Sequence, residues 1–455
     1  MKSNIGVVGL GVMGKSLVLN MLNNDISVSG YNRSIKAVDE LKAKNYTHFQ
    51  GYTDLKDFIN SLNKPKVVLL MVPSGEAVDE MIAQILPLID QNDIIMDGGN
   101  SFFKDSERRS VALKEVGIHF YAVGVSGGEK GALLGPSIMP SGDKEVYPII
   151  EPILTKIAAK KNNESCCRYL GRLGAGHYVK MVHNGIEYAD MQLIAETILI
   201  MKRAGYDNEF IANTLDNWNQ GSIQSYLLEI TSKIIREKED DQYLVDLIED
   251  ISNHKGTGKW TAQQALEQDV NVYLISAAFM ARLMSGVTTM RQAFHNTATP
   301  KIDIDIDVLK KAYSLGKITA YAQGFALYQD ASTRFDYQLD LEAIATIFRA
   351  GCIIQSELLE ELRLIFKEQP KIENILLAER FRTWFDRDID ALRQISALAT
   401  LNALPTPLYQ AAATYLNQLY ADQLGANIIQ AQRDFFGAHS FKRVDKEGIF
   451  HHEWE

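Results

Sequence analysis

The sequence predicts a three-part chain: a doubly wound α/β domain over residues 1–176, a large all-α domain over 177–430, and a C-terminal tail over 431–455. Three observations carry this. Short apolar runs alternate with helical stretches as far as about Leu170, the rhythm of βαβ units around a mostly parallel sheet. The strand signal stops at the glycine-rich stretch 171–176, and helical periodicity takes over. Within the helical part, IQSYLLE at 223–229 recurs as IQSELLE at 354–360, which points to an internal repeat.

Taken in order, strands are expected at 5–8, 27–31, 67–72, 94–96 and 119–123. One long helix should run from His177 to Arg203, ended by Gly205. Helix follows helix to about Leu419. The helix around Asn184-Gly185-Ile186 resembles the one around Gln323-Gly324-Phe325. Where the first copy has Lys180, His183 and Glu187, the second has Thr319, Ala322 and Ala326. The helix fold therefore does not need those polar residues.

Composition excludes several classes. The chain has 455 residues, 46% hydrophobic and 23% charged, so it is ordinary globular sequence. Lys and Arg number 47 against 57 Asp and Glu, a net charge of -10, with no basic block, which opposes nucleic acid or an anionic membrane as partner. No apolar run reaches the ~20 residues of a membrane span. Cys166, Cys167 and Cys352 form no CxxC pair and no metal-ligand spacing, so no metal or disulfide framework is expected and a reducing cytoplasm fits. Gly6, Gly9, Gly11 and Gly14 interrupt the N-terminal apolar run, which argues against a signal peptide.

The segment GLGVMGKS at 9–16 satisfies both GxGxxG and GxxxxGK[ST]. Either pattern sets phosphate on amides at a helix N-terminus, and Asp97 even mimics the metal-holding aspartate of a nucleoside triphosphatase. The end of the second strand favours a Rossmann-like dinucleotide site. About 20 residues after the loop stand Asn32, Arg33 and Ser34, with no acid. Donors and a positive charge there suit the 2′-phosphate of NADP, where an acid would accept from the 2′-hydroxyl of NAD.

Lys180, His183, Asn184, Glu187 and Tyr188 share one face of the long helix, in a stretch whose Val179, Val182, Ile186, Leu193 and Ile194 look buried. A lysine and a glutamate there are costly unless paired or used. The turns DGGNS at 97–101 and VSGGE at 125–129 follow strands, where open α/β sheets bind ligands. KGTGKW at 255–260 reads as a flexible basic loop able to hold an oxyanion.

These segments, with GPSIMPSG at 135–142, GHYVKMVHNGIEY at 176–188 and IIQAQRDFFGAHSF at 428–441, resemble the 6-phosphogluconate dehydrogenase family along essentially the whole chain. The resemblance implies a homodimeric NADP enzyme of the pentose phosphate pathway that oxidatively decarboxylates 6-phosphogluconate. It makes Lys180 the general base and Glu187 the general acid. It assigns Asn100, Ser126, Gly127, Gly128, His183 and Asn184 to the sugar acid, and Tyr188, Lys255 and Arg282 to its phosphate, with Arg433 and His439 entering from the partner subunit. For the cofactor it implies Gly9, Leu10, Gly11, Val12, Met13 and Gly14 under the pyrophosphate, Asn32, Arg33 and Ser34 on the 2′-phosphate, and Val72, Pro73, Ser74 and Asn100 alongside. Two departures stand out: Pro73, where many members carry lysine, and Leu133, where an arginine is frequent.

Overall fold

The computed structural model describes residues 2–254, 256–294 and 300–454. Its N-terminal part is a seven-stranded sheet in the order β3-β2-β1-β4-β5-β6-β7. The strands are β1 (Ile5–Val8), β2 (Val28–Tyr31), β3 (Phe49–Tyr52), β4 (Val67–Leu70), β5 (Ile94–Asp97), β6 (His119–Ser126) and β7 (Ser137–Ser141). All neighbours run parallel except β6 and β7. Helices α1 (Val12–Asn23), α2 (Ile35–Lys42), α3 (Leu55–Asn60), α4 (Glu76–Ile85), α5 (Phe103–Glu115), α6 (Gly128–Leu134) and α7 (Tyr147–Ile157) complete this part. Two apolar cores fill its two faces. The central strands are fully buried, so they read as continuous apolar runs.

Two strands escape the sequence pattern for identifiable reasons. The edge strand β3 (FQGY) is only half-buried and has no apolar run. In β7 (SIMPS), serines and Pro140 erase the signal, and proline is tolerated because its main ladder is with β6 alone. Both lie outside the expected set of five.

The helical part starts with α8 (Ala175–Arg203), 29 residues long and two residues earlier than expected. It continues through α9 (Asn208–Trp218), α10 (Tyr226–Arg236), α11 (Leu244–Leu247), α12 (Thr257–Glu267), α13 (Tyr273–Ser285), α14 (Thr288–Ala293) and α15 (Ile306–Arg334). Then follow α16 (Leu341–Phe348), α17 (Leu358–Glu368), α18 (Glu379–Leu401), α19 (Pro407–Tyr420) and α20 (Ala426–Gly437). The basic segment at 255–260 is thus not a loop throughout: α12 begins at Thr257, after Gly256 in the left-handed region. Nor does the tail begin beyond the last helix, because Arg433, Phe435 and Phe436 lie in α20.

The repeat has a structural counterpart. Helices α8 and α15 are both 29 residues long and touch through glycines: a side chain at Gly324 would strike Ile186 at 2.4 Å, and one at Gly316 would meet Leu193 at 3.0 Å. The matching segments also meet each other. Ser225 and Ser356 form an antiparallel bridge, with Tyr226 N donating to Gln355 O at 3.1 Å and Glu357 N to Gln224 O at 2.9 Å. In the second copy Thr319 bonds, among the described residues, only the Leu315 carbonyl of its own helix, and Ala322 is buried.

One ionic contact locks the two long helices. Lys317 on α15 donates to Asp190 on α8 at 2.6 Å, Tyr313 adds a second donor at 2.9 Å, and both charged groups are fully enclosed. Removing one partner leaves a bare charge in an apolar core, so Lys317→Met should destabilise by about 3–5 kcal/mol. The Asp190→Asn/Lys317→Met double variant should recover at least half of that. Denaturant melts of the three proteins check this, and equal losses for single and double variants would contradict it.

Candidate active site

The carboxyl ends of the parallel strands define a crevice, and the turns that leave them build its floor. After β1, Gly9 has a φ of +93° and lies so close to Met71 O that a Cβ would sit 2.5 Å away; a Cβ at Gly14 would strike Gly9 O at 1.9 Å. A Cβ at Gly11 would meet nothing within 4 Å. Gly9 and Gly14 thus close the turn against the sheet, while Gly11 leaves the N-terminus of α1 open, with no side chain capping it. That is the shape of a pyrophosphate cradle. The triphosphatase reading fails at Lys15, which pairs with Glu40 at 2.6 Å instead of facing the loop. Asp97 is equally committed, accepting from Ser101 Oγ at 2.6 Å and Gly99 N at 3.0 Å, with Arg109 at 3.5 Å.

After β2, the expected trio divides. Asn32 Oδ1 accepts from Leu10 N at 3.1 Å and its Nδ2 donates to Ser34 O at 3.1 Å, so its amide pins the glycine loop and keeps one N–H of Nδ2 for a ligand. Arg33 and Ser34 are exposed, and Arg33 forms no ion pair or hydrogen bond among the described residues. Ser34 is the N-cap of α2, yet its hydroxyl caps nothing. A guanidinium without a described partner, an uncommitted hydroxyl and an open helix N-terminus together could hold an anion. Pro73 and Ser74 are exposed after β4 and Val72 is partly buried.

Helix α8 passes directly against the β6–β7 pair. A Cβ at Gly124 would lie 2.7 Å from Lys180 Cβ, and one at Gly176 would strike Met139 O at 2.1 Å. Ser141 Oγ fastens the helix start, accepting from Gly176 N at 2.7 Å and donating to Leu173 O at 2.8 Å. Behind, a Cβ at Gly185 would lie 2.6 Å from Thr261, and one at Gly258 2.4 Å from the Tyr188 ring. The helix is therefore enclosed on nearly all sides.

On its one polar face, Lys180 Nζ donates to Asn184 Oδ1 at 2.6 Å, and His183 Nδ1 lies 3.0 Å from the same oxygen. Asn184 Nδ2 donates to Thr257 Oγ1 at 2.9 Å, which fixes the amide with its oxygen toward the lysine. His183 Nε2 reaches Ser126 Oγ at 3.2 Å across the domain boundary, and Glu187 approaches His183 at 3.8 Å. Lys180 is 8% exposed. Burial pulls its pKa below the ordinary lysine value, with Glu187 opposing. Burial also holds His183 well below the usual histidine range and pushes Glu187 above the usual carboxylate range. The result is an amine that sheds its proton easily beside a carboxyl that keeps one.

Further out, the guanidinium of Arg282 lies 3.5 Å from the centroid of the Tyr188 ring. Asn100 is exposed beside Gly98 and Gly99, and Gly127 and Gly128 lead from Ser126 into α6. Lys255 lies outside the described residues. Arg433 and His439 are exposed on α20 and the tail, and among the described residues no hydrogen bond, ion pair or ring contact joins them to the Lys180 cluster.

Three contributors were not legible beforehand. Phe348 sets its ring edge against His183 at 5.1 Å between centroids, Cys352 adds an apolar wall near Lys180, and a Cβ at Gly127 would be 2.6 Å from Gly351 O. This segment comes from the second helical copy, and only the match at 354–360 next to it gave any signal. Among the described residues, no group of His, Cys, Asp and Glu could hold a metal, and no helix is long and apolar enough to cross a membrane.

Comparison with known proteins agrees along the whole chain. Residues 4–171 match the NAD binding domain of 6-phosphogluconate dehydrogenase, and residues 176–454 match its C-terminal domain. The solved 6-phosphogluconate dehydrogenase of Plasmodium falciparum, studied with its cofactor NADP+ and its substrate 6-phosphogluconate, superposes with a TM-score of 0.95 at 39% identity, covering 99% of this chain and 100% of that one. Two Bacillus subtilis decarboxylating 6-phosphogluconate dehydrogenases, one NADP(+)-dependent and one NAD(+)-dependent, are each 43% identical over 468 residues. Each alignment spans all of this chain and 99% and 100%, respectively, of the relative.

Proposed function

The chain belongs to the 6-phosphogluconate dehydrogenase family, and on that premise we propose that it converts 6-phosphogluconate to ribulose 5-phosphate and CO2 while reducing NADP. The observation that carries this reading is the buried Lys180, held by Asn184 and set three residues from His183 and seven from Glu187 at the mouth of a dinucleotide crevice. An absorbance assay at 340 nm with 6-phosphogluconate and each nicotinamide cofactor tests it; absence of turnover with both would refute it.

The residues present fit the cofactor. The open loop at Gly11 would receive the pyrophosphate, and Arg33 with Ser34 would hold the 2′-phosphate. When bound, NADP accepts the hydride from C3 of the sugar acid. Neutral Lys180 takes the proton of the C3 hydroxyl at Nζ, with Asn184 Oδ1 fixing the amine. The ketone so formed lies β to the carboxylate, so CO2 leaves as its bonding electrons move into the carbonyl. Protonated Lys180 stabilises the enolate oxygen. Glu187 then delivers a proton to C1 of the enediol. Ser126, Gly127, Gly128, Asn100, His183 and Asn184 orient the sugar acid, and neutral His183 donates without competing for the proton. Tyr188, Arg282 and Lys255 meet the phosphate.

The site is completed by a second copy of the chain. Helix α20 buries only Asp434, leaving Leu424 before it and Ile428, Ile429, Phe435 and Phe436 within it exposed, a face that requires a partner. Asp434 folds the tail, accepting from Ser440 N at 2.8 Å, His451 Nδ1 at 2.9 Å and Trp454 Nε1 at 2.9 Å. The tail so folded would carry Arg433 and His439 to the neighbouring crevice.

Lys180→Ala should lower kcat by ~10²–10⁴-fold while 6-phosphogluconate still binds. In the unaltered enzyme kcat/KM should rise with pH through a group titrating below the ordinary lysine value, because Lys180 must lose its proton to act. That acid limb should vanish in the variant, and its persistence in a pH profile would assign the base elsewhere.

Arg33→Ala should weaken NADP roughly tenfold or more and leave NAD nearly unchanged, as expected for one charge-assisted contact. Equal losses in titrations with the two cofactors would instead give Arg33 a role in folding.

Lys180→Ala and Arg433→Ala should each disable homodimers, yet coexpression should restore about a quarter of normal activity if subunits pair at random, since each mixed dimer keeps one intact site. Preparations containing verified mixed dimers but no activity would place Arg433 in its own subunit's site.

A further inference from the structure

The second helical copy carries a buried cation that the reaction does not use. Arg349 caps the end of α16, and its side chain is 3% exposed. One arm of the guanidinium reaches Glu360 on α17 at 2.7 Å, the other reaches Glu164 in the N-terminal part, and Nε donates to the Thr346 carbonyl at 3.2 Å. The two copies differ here. Five residues before the matched segments at 223–229 and 354–360, the first copy has the buried Trp218 and the second has Arg349. Glu229, the counterpart of Glu360, makes an exposed pair with Lys233 of its own helix. The repeat therefore accepts an apolar side chain where Arg349 stands, and replacing a buried ion pair by apolar groups often costs nothing. Arg349 calls for a reason beyond folding.

That reason lies in what flanks it. Phe348, one residue before, sets its ring against His183, and Gly351 and Cys352, just after, stand against Gly127 and Lys180. Ser137 of β7 holds the same segment by neutral bonds, its N donating to Gly351 O at 2.8 Å and its Oγ to Ile347 O at 2.7 Å. Arg349 adds charge-assisted bonds, the stronger kind. Its fork also spans the two parts of the molecule, because Glu360 belongs to the helical part and Glu164 to the short strand Glu164–Ser165 between α7 and α8.

We propose that Arg349 is a positioning residue: by tying Glu164 to Glu360 it holds the wall at 348–352 against the crevice and keeps water from Lys180 and His183. This rests on the reading of Lys180 as the base.

The titratable groups that face Lys180 are His183 and Glu187 on its own helix and Cys352 on the wall, with Arg282 beside Glu187. None of them is altered in Arg349→Met, which removes the fork, or in Glu164→Ala, which removes the arm that crosses between the parts. Water admitted beside Nζ favours the charged amine. In both variants the acid limb of kcat/KM should therefore move up by about one pH unit, a roughly tenfold loss below the limb, while the plateau at high pH stays within about twofold of the parent. Arg168→Gln, which breaks only the outer ion pair of Glu164, should leave the limb in place. An unmoved limb in either variant, or an equal shift in Arg168→Gln, overturns the proposal, and a lower melting temperature with the limb unmoved does the same. Should Arg349→Met fail to fold, Glu164→Ala carries the test, because it leaves the guanidinium paired with Glu360. Competitive acylation of Lys180 across pH, read by peptide mass spectrometry, follows the same titration without turnover. A parent protein inactive on 6-phosphogluconate would discard the substrate reading, while the labelling would still decide between a raised titration in the variants, which supports the proposal, and an unchanged one, which defeats it.

Discussion

The architecture depends on bringing one helix into backbone contact with a sheet. Helix α8 must carry a lysine into an enclosed site, and the enclosure comes from glycines on both surfaces: Gly124 on β6 faces Lys180, and Gly176 on α8 faces Met139 and Ala122. A methyl group at any of these points would separate the layers. The separation would admit water beside Nζ and restore the basicity that burial removes. The chemistry proposed for Lys180 is therefore a property of packing at positions that bear no functional side chain. The same contact joins the dinucleotide crevice to the helical part, so the two are fixed to within a hydrogen bond, as Ser126 and His183 demonstrate.

The repeat explains how such a helix can be supported. A lone helix with Lys180, His183 and Glu187 along one face would be poorly stabilised by its remaining surface. Its structural counterpart α15 supplies an apolar face at Gly316 and Gly324 and a buried countercharge, Lys317, for Asp190. The second copy has Thr319, Ala322 and Ala326 where the first has Lys180, His183 and Glu187, the groups proposed for the chemistry. It also returns Phe348, Gly351 and Cys352 to the crevice as a wall. One copy can thus carry the proposed reactive groups while the other supplies packing at the corresponding positions.

What was legible in the sequence follows from range. The glycine loop, the polar face of α8 and the two-part architecture are written in residues close together, where periodicity or fixed spacing suffices. Phe348 acts at His183 from the second helical copy, far along the chain, and nothing local marks a phenylalanine as the wall of a distant site. Asn32 shows a different limit. Its residue type fits a phosphate donor, and the folded chain also uses its amide to hold Leu10 N and Ser34 O, leaving a single N–H for a ligand. Composition gives the supply of donors, and only geometry gives their commitments. Strands β3 and β7 were hidden for a related reason, since edge pairing tolerates the polar residues and proline that remove the pattern.

Burial also ranks the parts of the site by how freely they can change. Lys180, His183 and their supports lie in a packed interior, where altering one group disturbs several others. Arg33, Ser34 and Pro73, the residues proposed to face the adenosine end of the cofactor, are exposed and make few demands on the fold. Substitution at such positions ordinarily costs within about 0.5 kcal/mol of stability. On the proposed function, the groups that choose between the two nicotinamide cofactors can therefore change at little cost to the fold, and Pro73 is tolerated for that reason. On the same reading the cofactor preference rests on very few groups, with Arg33, which forms no ion pair or hydrogen bond among the described residues, the principal one, whereas the proposed reaction is secured by the whole surface of α8.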